Sequence, residues 1–320
     1  MRKTGLAIAV TSAWCFAFSG PMAKFLGAAG LAPIEAVWIR MTGAGLLLVA
    51  VLAVFRPRAL RIPKDRLLFT AAYGLIAIAA VQALFFQAIT RLPVGVTLLI
   101  EYTAPVMVVL WVRFVRRIRV PRSAYLGAVV AVVGLGIVVE VWQGLRLDGV
   151  GLLLAFAAAG CCAGYFLLSD AFGDDVDPLG LIAWGLVGSA VVLVPLSRPW
   201  NIDWAVLSRT ATLDGTTLPV AGAALWLILV ATVLGYITGV TAVRRLSAAV
   251  GSTVATLEVI AGAIVAWVLV GEALGGFQIV GGLIVIGGAL LAQTATARLP
   301  HADGPVVAPE AQPAMLKAEA

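Results

Sequence analysis

Long apolar runs alternate with short polar breaks along most of the chain. Runs of about 20 residues, bounded by basic residues, Pro or Gly, occur ten times. A run of this length can cross the hydrocarbon core of a bilayer as one α-helix. The ten predicted spans are residues 5–23, 34–55, 67–90, 94–114, 123–141, 149–169, 179–197, 218–241, 247–270 and 273–294. The pattern therefore predicts an all-α membrane protein with ten transmembrane helices.

The composition agrees with a membrane protein and excludes several other classes. Hydrophobic residues make up 62% of the chain and charged residues only 12%, against about half and a quarter in soluble domains. The cysteines Cys15, Cys161 and Cys162 lie within apolar runs without the spacing of a metal site or a disulfide framework. The sequence has no P-loop. We therefore expect no cofactor and no bound metal.

The basic residues indicate an orientation. Most of the 22 Lys and Arg residues fall in breaks that would share one side of the membrane, such as 56–66 and 113–122. Cytoplasmic loops carry this excess in membrane proteins, so we expect both termini in the cytoplasm and the chain in the cell membrane. Because the basic clusters separate apolar runs, the net charge of +6 indicates contact with lipid rather than with nucleic acid.

The two halves of the sequence repeat. A shift of 154 residues lays "AITRLPVGV" (88–96) over "AVRRLSAAV" (242–250), and it pairs Gly127 with Gly281 and Gly134 with Gly288. Five spans per half is an odd number, so equivalent helices must run in opposite directions, as in transporters built from inverted repeats. The predicted units are two five-helix repeats, 1–145 and 146–296, and a disordered cytoplasmic tail, 297–320.

Two acidic residues lie inside apolar spans. Glu101 is about 12 Å along span 4 from Pro93, and Glu258 lies at similar depth in span 9. An ionised carboxylate there costs about 3 kcal/mol or more, so each acid must face a cavity or a partner, or stay protonated. Paired midplane acids suit binding of protons or of a cationic amine. The alternative is a structural acid that is hydrogen-bonded to a neighbouring helix.

Two basic residues, Arg40 and Lys24, are candidates for binding a substrate carboxylate. Both are predicted near the outer ends of their spans, Arg40 in span 2 and Lys24 in span 1. The alternative for Arg40 is a structural ion pair with Glu35. The alternative for Lys24 is a side chain that extends to the lipid headgroups.

Several further side chains could line a cavity. Tyr102 directly follows Glu101, and Trp14, Tyr165 and Tyr236 are aromatic residues at intramembrane depth. Ordinary packing is the alternative for each of them. Gln82 in span 3 could reach the cavity or bond between helices. Pro105 removes a backbone donor, so it would free the carbonyl group of residue 101 or simply bend span 4.

Two stretches carry a family resemblance. "RLPVGVTLLIEYTAPVMVVLW" (91–111) resembles the fourth helix of EamA-type ten-helix exporters of the drug/metabolite transporter superfamily, especially the threonine/homoserine exporter branch. "STVATLEVIAGAIVAWVLVGEAL" (252–274) resembles the ninth helix, with Val259 where the family has Pro. The resemblance covers residues 5–294. It implies a carrier that exports an amino acid or related amine in exchange for protons. We expect this carrier to work by alternating access, as a monomer or a homodimer.

An enzyme is the rival hypothesis. The run "SDAFGDDVDP" (169–178) places Asp170, Asp174 and Asp175 close together, and intramembrane prenyl transferases bind Mg²⁺ through aspartate clusters. This chain has only one such cluster, in a short predicted loop. A solvated loop is therefore the favoured interpretation of these aspartates.

Overall fold

Ten apolar helical spans form the fold. The computed structural model describes residues 2–117, 119–140, 147–171, 176–245 and 248–296. The described α-helices are α1 Arg2–Ala17, α2 Ser19–Ala28, α3 Pro33–Phe55, α4 Leu67–Tyr73, α5 Val81–Ala88, α6 Val94–Glu101, α7 Ala104–Phe114, α8 Arg122–Val138, α9 Gly149–Ala171, α10 Pro178–Ser197, α11 Val220–Ile228, α12 Gly235–Arg245, α13 Ala248–Val270 and α14 Gly276–Thr296. The predicted tail, 297–320, lies outside the described residues.

Four of the spans contain more than one helical segment. Span 1 is α1 with α2, and span 4 is α6 with α7. Span 3 joins α4 to α5 through the π-helical segment Gly74–Ala80, and span 8 joins α11 to α12 through Leu229–Leu234. Six spans are long and apolar enough to cross a membrane, and shorter apolar helices make up the other four. The prediction of an all-helical membrane protein with ten spans is confirmed.

A β-hairpin interrupts the helical pattern between spans 7 and 8. Strands β1 (Thr210–Leu213) and β2 (Thr216–Pro219) pair antiparallel. Their turn residues Asp214 and Gly215 both have positive φ, 44° and 78°, as a tight two-residue hairpin turn requires. This hairpin was not predicted from the sequence. We call the end of the bundle that carries it the hairpin end.

The opposite end of the bundle carries the basic breaks. Two short 3₁₀ helices, Pro57–Leu60 and Lys64–Arg66, connect spans 2 and 3 there. Arg56 Nη2 pairs with Asp177 Oδ2 at 3.0 Å and so links span 2 to the start of span 7. We call this the arginine end. The alternation of spans between the two ends is the one that the sequence predicted.

Spans 5 and 10 pack together through repeat-equivalent glycines. A Cβ on Gly134 would lie 2.6 Å from the backbone nitrogen of Val285, and a Cβ on Gly281 would lie 2.7 Å from that of Val138. Gly127 and Gly288 meet the opposite helix backbone in the same way. After the 154-residue shift, the contact of Gly134 corresponds to that of Gly288, and the contact of Gly127 corresponds to that of Gly281. The two helices run antiparallel. The symmetry axis is therefore perpendicular to the helices, which is the geometry of an inverted repeat.

The two π-helical segments occupy equivalent positions in the two halves. Gly74–Ala80, shifted by 154 residues, covers 228–234, and the second segment is Leu229–Leu234. A π-helical turn inserts an extra residue and exposes a carbonyl group, and such turns often occur at functional sites. Both segments lie in the third span of their half. The backbone irregularity is thus a property of the repeated unit.

The buried side chains form two main groups. The larger group draws mainly on spans 1, 2, 3, 7 and 8 and also includes Val94 of span 4, Ala158 of span 6 and Ala266 of span 9. The second draws mainly on spans 4, 5, 6, 9 and 10 and also includes Ala88 of span 3. Leu98 of span 4 packs against both groups. The boundary between the groups therefore runs beside span 4, next to Glu101.

Candidate functional site

Arg40 is buried inside the bundle. Its residue exposure is 1%, and it lies on the same face of α3 as the buried residues Val37 and Ala44. From the sequence, Arg40 was expected near the outer end of span 2, with an ion pair to Glu35 as the structural alternative. Glu35 instead caps its own helix, because its Oε2 accepts a hydrogen bond from the Ala32 backbone nitrogen at 2.8 Å.

The Arg40 guanidinium donates to neutral acceptors from three other spans. Arg40 Nε donates to Thr232 Oγ1 at 2.7 Å. Nη1 donates to Ser19 Oγ at 2.7 Å and to Gln82 Oε1 at 2.5 Å. Nη2 donates to the Ala231 carbonyl oxygen at 3.4 Å. None of these acceptors carries a charge. These hydrogen bonds therefore hold the guanidinium in place without neutralising its charge.

Arg40, Glu101 and Glu258 line one small cavity. Its volume is about 40 Å³, and Ser19, Gly20 and Gln82 also line it. The three ionisable side chains are close enough to interact electrostatically. A cavity of this size holds a few water molecules rather than an amino acid. Substrate entry would therefore require the surrounding spans to separate.

The backbone of span 4 is interrupted directly after Glu101. Helix α6 ends at Glu101 and α7 begins at Ala104, with Pro105 in its first turn. Proline cannot donate a backbone hydrogen bond, which breaks the regular ladder. Span 9 behaves differently: α13 continues through Glu258 without a break, and Val259, unlike a proline, keeps its backbone donor. Glu101 thus lies at the end of a helical segment, and Glu258 lies within a continuous helix.

The aromatic residues predicted for the site do not line the cavity, although Tyr236 lies close to Arg40. Tyr236 packs edge-on against Phe16 at 5.1 Å between ring centroids, and Phe16 lines the cavity. Tyr165 lies 5.8 Å from the ring of Tyr73, and Tyr102 packs against the second buried group. Trp14 is 42% exposed on the outside of the bundle. The structure brings the three charged residues together and leaves the aromatic residues behind them or outside.

Two residues of the site were missed by sequence reasoning. Ser19 and Thr232 hold the Arg40 side chain, and neither is unusual by residue type in a transmembrane helix. Gln82 was considered, and the repeat gives a further signal for it. Gln82 and Tyr236 are 154 residues apart, and both lie near Arg40. Repeat-equivalent polar residues in apolar spans could therefore have identified this part of the site.

A larger recess elsewhere lacks ionisable groups. It opens between spans 2 and 7 with a volume of about 220 Å³. Its lining residues are Trp38, Thr42, Leu46, Val187, Ala190, Val191 and Val194. Leu46 and Val191 are 63% and 66% exposed, so this recess faces the lipid. The charged chemistry of the described spans is concentrated in the smaller cavity.

The aspartates of the rival enzyme hypothesis fall outside the part of the chain that the structure describes in full. Asp174 and Asp175 lie outside the described residues, as does the side chain of Asp170. Among the described residues, no group of three or more His, Cys, Asp or Glu side chains could hold a metal ion. The described part of the chain therefore gives the enzyme hypothesis no support.

Comparison with known proteins gives one family match and several relatives. The model of the EamA-like transporter family matches residues 3–140 and again residues 149–294. A threonine/homoserine exporter RhtA of Salmonella typhimurium is 29% identical, over 77% of this chain and 78% of that protein. The protein of the same name from Escherichia coli K12 is 27% identical, over 81% and 83%.

Two further comparisons extend the picture. The uncharacterized transporter YwfM of Bacillus subtilis is 30% identical, over 45% of this chain and 48% of that protein. A solved structure titled "Crystal structure of protein" aligns with a TM-score of 0.61 at 18% identity, over 93% of this chain and 99% of that one. This structural likeness concerns the fold alone. Substrate and mechanism have to be argued from the site.

Proposed function

The chain belongs to the EamA-like transporter family of the drug/metabolite transporter superfamily, and on that premise we propose that it exports an amino acid or related amine in exchange for protons. The relatives named threonine/homoserine exporters support a small polar substrate. At 29% and 27% identity, these relatives do not fix the substrate of this chain, so the substrate has to be inferred from the residues of the site. A transporter needs no bound cofactor for this activity.

The observation that carries the proposal is the meeting of Arg40 with Glu101 and Glu258 at one cavity. An amino acid carries a carboxylate and an ammonium group on neighbouring atoms. Arg40 suits the carboxylate, because its guanidinium presents several fixed donors to one anion. Glu101 and Glu258 suit the ammonium group. The site is thus complementary to a zwitterion, and a simple amine would leave the Arg40 charge unmatched.

Exchange follows from competition at the carboxylates. An ionised Glu101 or Glu258 can hold either a proton or the substrate's ammonium group. A substrate that binds from the cytoplasm would displace protons, and protons that bind from outside would displace the substrate. Mutually exclusive binding couples the two fluxes in opposite directions. An inward proton gradient would then drive export.

Alternating access would use the inverted halves. The two proposed five-helix units, 1–145 and 146–296, would each contribute spans to both groups of buried side chains, and movement of one group against the other would expose the site to each side in turn. The arginine end would face the cytoplasm, because basic loops stay on that side. Both termini would then be cytoplasmic and the hairpin end would face outward.

Reconstitution in liposomes tests the proposal. Export of radiolabelled threonine or homoserine should accelerate severalfold when the side toward which the substrate moves is acidified. Glu101→Gln should abolish this acceleration and still permit substrate exchange, because the amide cannot take up a proton. Glu35→Gln is the matched control, since Glu35 only caps a helix end. It should behave like the wild type.

The same assay separates an amino acid from an amine as substrate. The decarboxylated analogue of the best substrate should compete at least about tenfold more weakly, because a charge-assisted hydrogen bond is lost. Equal competition would contradict the role of Arg40. Export that ignores the pH gradient in both the wild type and Glu101→Gln would refute proton coupling.

A further inference from the structure

Glu272 uses both carboxylate oxygens to tie separate spans together at the hairpin end. Oε1 forms an ion pair with Lys24 Nζ in α2, and Oε2 accepts a hydrogen bond from the Val94 backbone nitrogen at 2.7 Å. Val94 is the first residue of α6, and Glu272 lies in the connection between spans 9 and 10. The Lys24 and Glu272 side chains are only 20% and 18% exposed. One carboxylate therefore joins spans 1 and 4 to the second half.

An apolar contact lies directly beneath this ionic link. Val94 is fully buried and fills the space beside Gly20: a Cβ on Gly20 would lie 2.5 Å from Val94 Cγ1. Gly20 itself lines the charged cavity. The close fit of Val94 against Gly20 therefore closes the path between spans 1 and 4 on the hairpin side.

The link and the cavity share one face of span 4. Val94, Leu98 and Glu101 are spaced four and three residues apart, which places them on the same side of a helix. Leu98 lines the cavity and fills the space beside Gly262 of span 9, where a Cβ would lie 2.5 Å from Leu98 Cδ1. Movement at Val94 would therefore be transmitted along α6 to Glu101.

We propose that Lys24, Glu272 and Val94 form the outer gate of the transporter. With the gate closed, Glu272 holds the start of α6 against span 1, and Val94 seals the cavity from the hairpin side. The gate opens when the Lys24–Glu272 pair separates and Glu272 releases the Val94 nitrogen, which lets α6 move away from Gly20. This inference rests on the proposed export function, and its first test uses a signal that needs no substrate.

Another ion pair at the same end provides a control. Arg91 Nη1 lies 3.4 Å from Asp148 Oδ2, and these side chains are 47% and 40% exposed. The pair links the end of span 3 to the start of span 6, two spans that pack together along their length. It lies at the surface rather than above the cavity. Breaking this pair should leave access to the cavity unchanged.

Accessibility of a cysteine at Leu98 tests the gate directly. The background replaces the three native cysteines by alanine: Cys15, Cys161 and Cys162. A charged, membrane-impermeant methanethiosulfonate reagent is added from the hairpin side, and the labelling rate of Leu98→Cys is measured. Lys24→Met and Glu272→Gln should each raise the rate severalfold. Glu272→Leu should raise it about tenfold or more, because it also removes the acceptor for the Val94 nitrogen.

The outcomes separate the gate from the proposed function. Labelling rates that match the parent in all three gate variants would overturn the gate, as would an equal rise in Arg91→Met. Faster labelling in a protein that transports no amino acid or amine would support the gate and refute the proposed substrate. Amino acid export with unchanged labelling would overturn the gate and support the proposed substrate.

A cross-linking experiment covers the case in which Leu98→Cys fails to fold. Lys24→Cys with Glu272→Cys is joined by a short bifunctional methanethiosulfonate reagent, which a reductant removes. Transport should fall at least tenfold on cross-linking and recover on reduction. The same treatment of Arg91→Cys with Asp148→Cys should change transport less than twofold. Full transport by the cross-linked Lys24–Glu272 pair would overturn the gate.

Discussion

Replacing Thr232 by valine removes one hydroxyl group from the charged site with almost no change in shape. This hydroxyl accepts a 2.7 Å hydrogen bond from Arg40 Nε and donates one to the Leu227 carbonyl oxygen at 2.7 Å. Thr232 is fully buried, and Arg40 is 1% exposed. Water therefore cannot easily replace the lost acceptor.

The size of the effect follows from these contacts. A hydrogen bond to a charged group contributes about 1.5–3 kcal/mol, and a buried donor left without its partner costs a comparable amount. The remaining Nη1 bonds to Ser19 and Gln82 hold the guanidinium in place and limit the loss. We expect Thr232→Val to lower the free energy of unfolding by about 2 kcal/mol relative to its control.

Thr238→Val is that control. Thr238 lies in the same span, and its hydroxyl also donates within the helix, to the Leu234 carbonyl oxygen at 2.6 Å, but it does not accept a hydrogen bond from Arg40. The difference between the two variants therefore isolates the Arg40 bond. Thermal unfolding in detergent should show Thr232→Val several degrees below Thr238→Val. Thr232→Ser keeps the hydroxyl and should recover most of the difference.

A clear result would refute this reasoning. If Thr232→Val and Thr238→Val unfold at the same temperature, the Thr232 hydroxyl does not stabilise the buried guanidinium. If Thr232→Ser is as unstable as Thr232→Val, the methyl group that serine lacks stabilises the protein as much as the hydroxyl group does. The first result would remove Thr232 from the site, and the second would show that its hydroxyl is only half of its contribution.

Three further predictions concern other parts of the molecule. Arg40→Lys keeps the charge but cannot bridge the same set of acceptors, so substrate affinity measured by competition should fall about tenfold or more. Gly134→Val should sharply reduce the folded yield seen by size-exclusion chromatography, because its Cβ would lie 2.6 Å from the Val285 nitrogen, whereas Gly136→Val meets open space. Trp14→Leu should leave transport within about twofold of the wild type, because Trp14 is 42% exposed outside the bundle.

The outline of the fold was predictable from the sequence because its signals are local. A bilayer imposes helix length, so apolar runs identify the spans without knowledge of their neighbours. The inverted arrangement followed from the 154-residue shift and an odd number of spans per half. The interruption after Glu101 followed from Pro105, and the continuity of span 9 agrees with Val259. Each of these features depends on one short stretch of chain or on the similarity between two such stretches.

The position of Arg40 could not be derived in the same way. Its distance along span 2 suggested the headgroup region, yet the side chain is buried. Its partners Ser19, Gln82 and Thr232 come from spans 1, 3 and 8. Only the packing of these spans brings the acceptors to one point, and nothing in span 2 itself encodes them.

The sequence by itself thus determined the ten spans and the repeat, and it predicts similar depths for Glu101 and Glu258, because membrane thickness and helix geometry convert residue number into depth. The tertiary structure decided which residues share the cavity and how its hairpin side is closed. Depth along one helix is a local quantity, whereas the direction that a side chain faces acquires meaning only from the neighbouring helices. The contact of Glu272 with both Lys24 and Val94 is of this second kind.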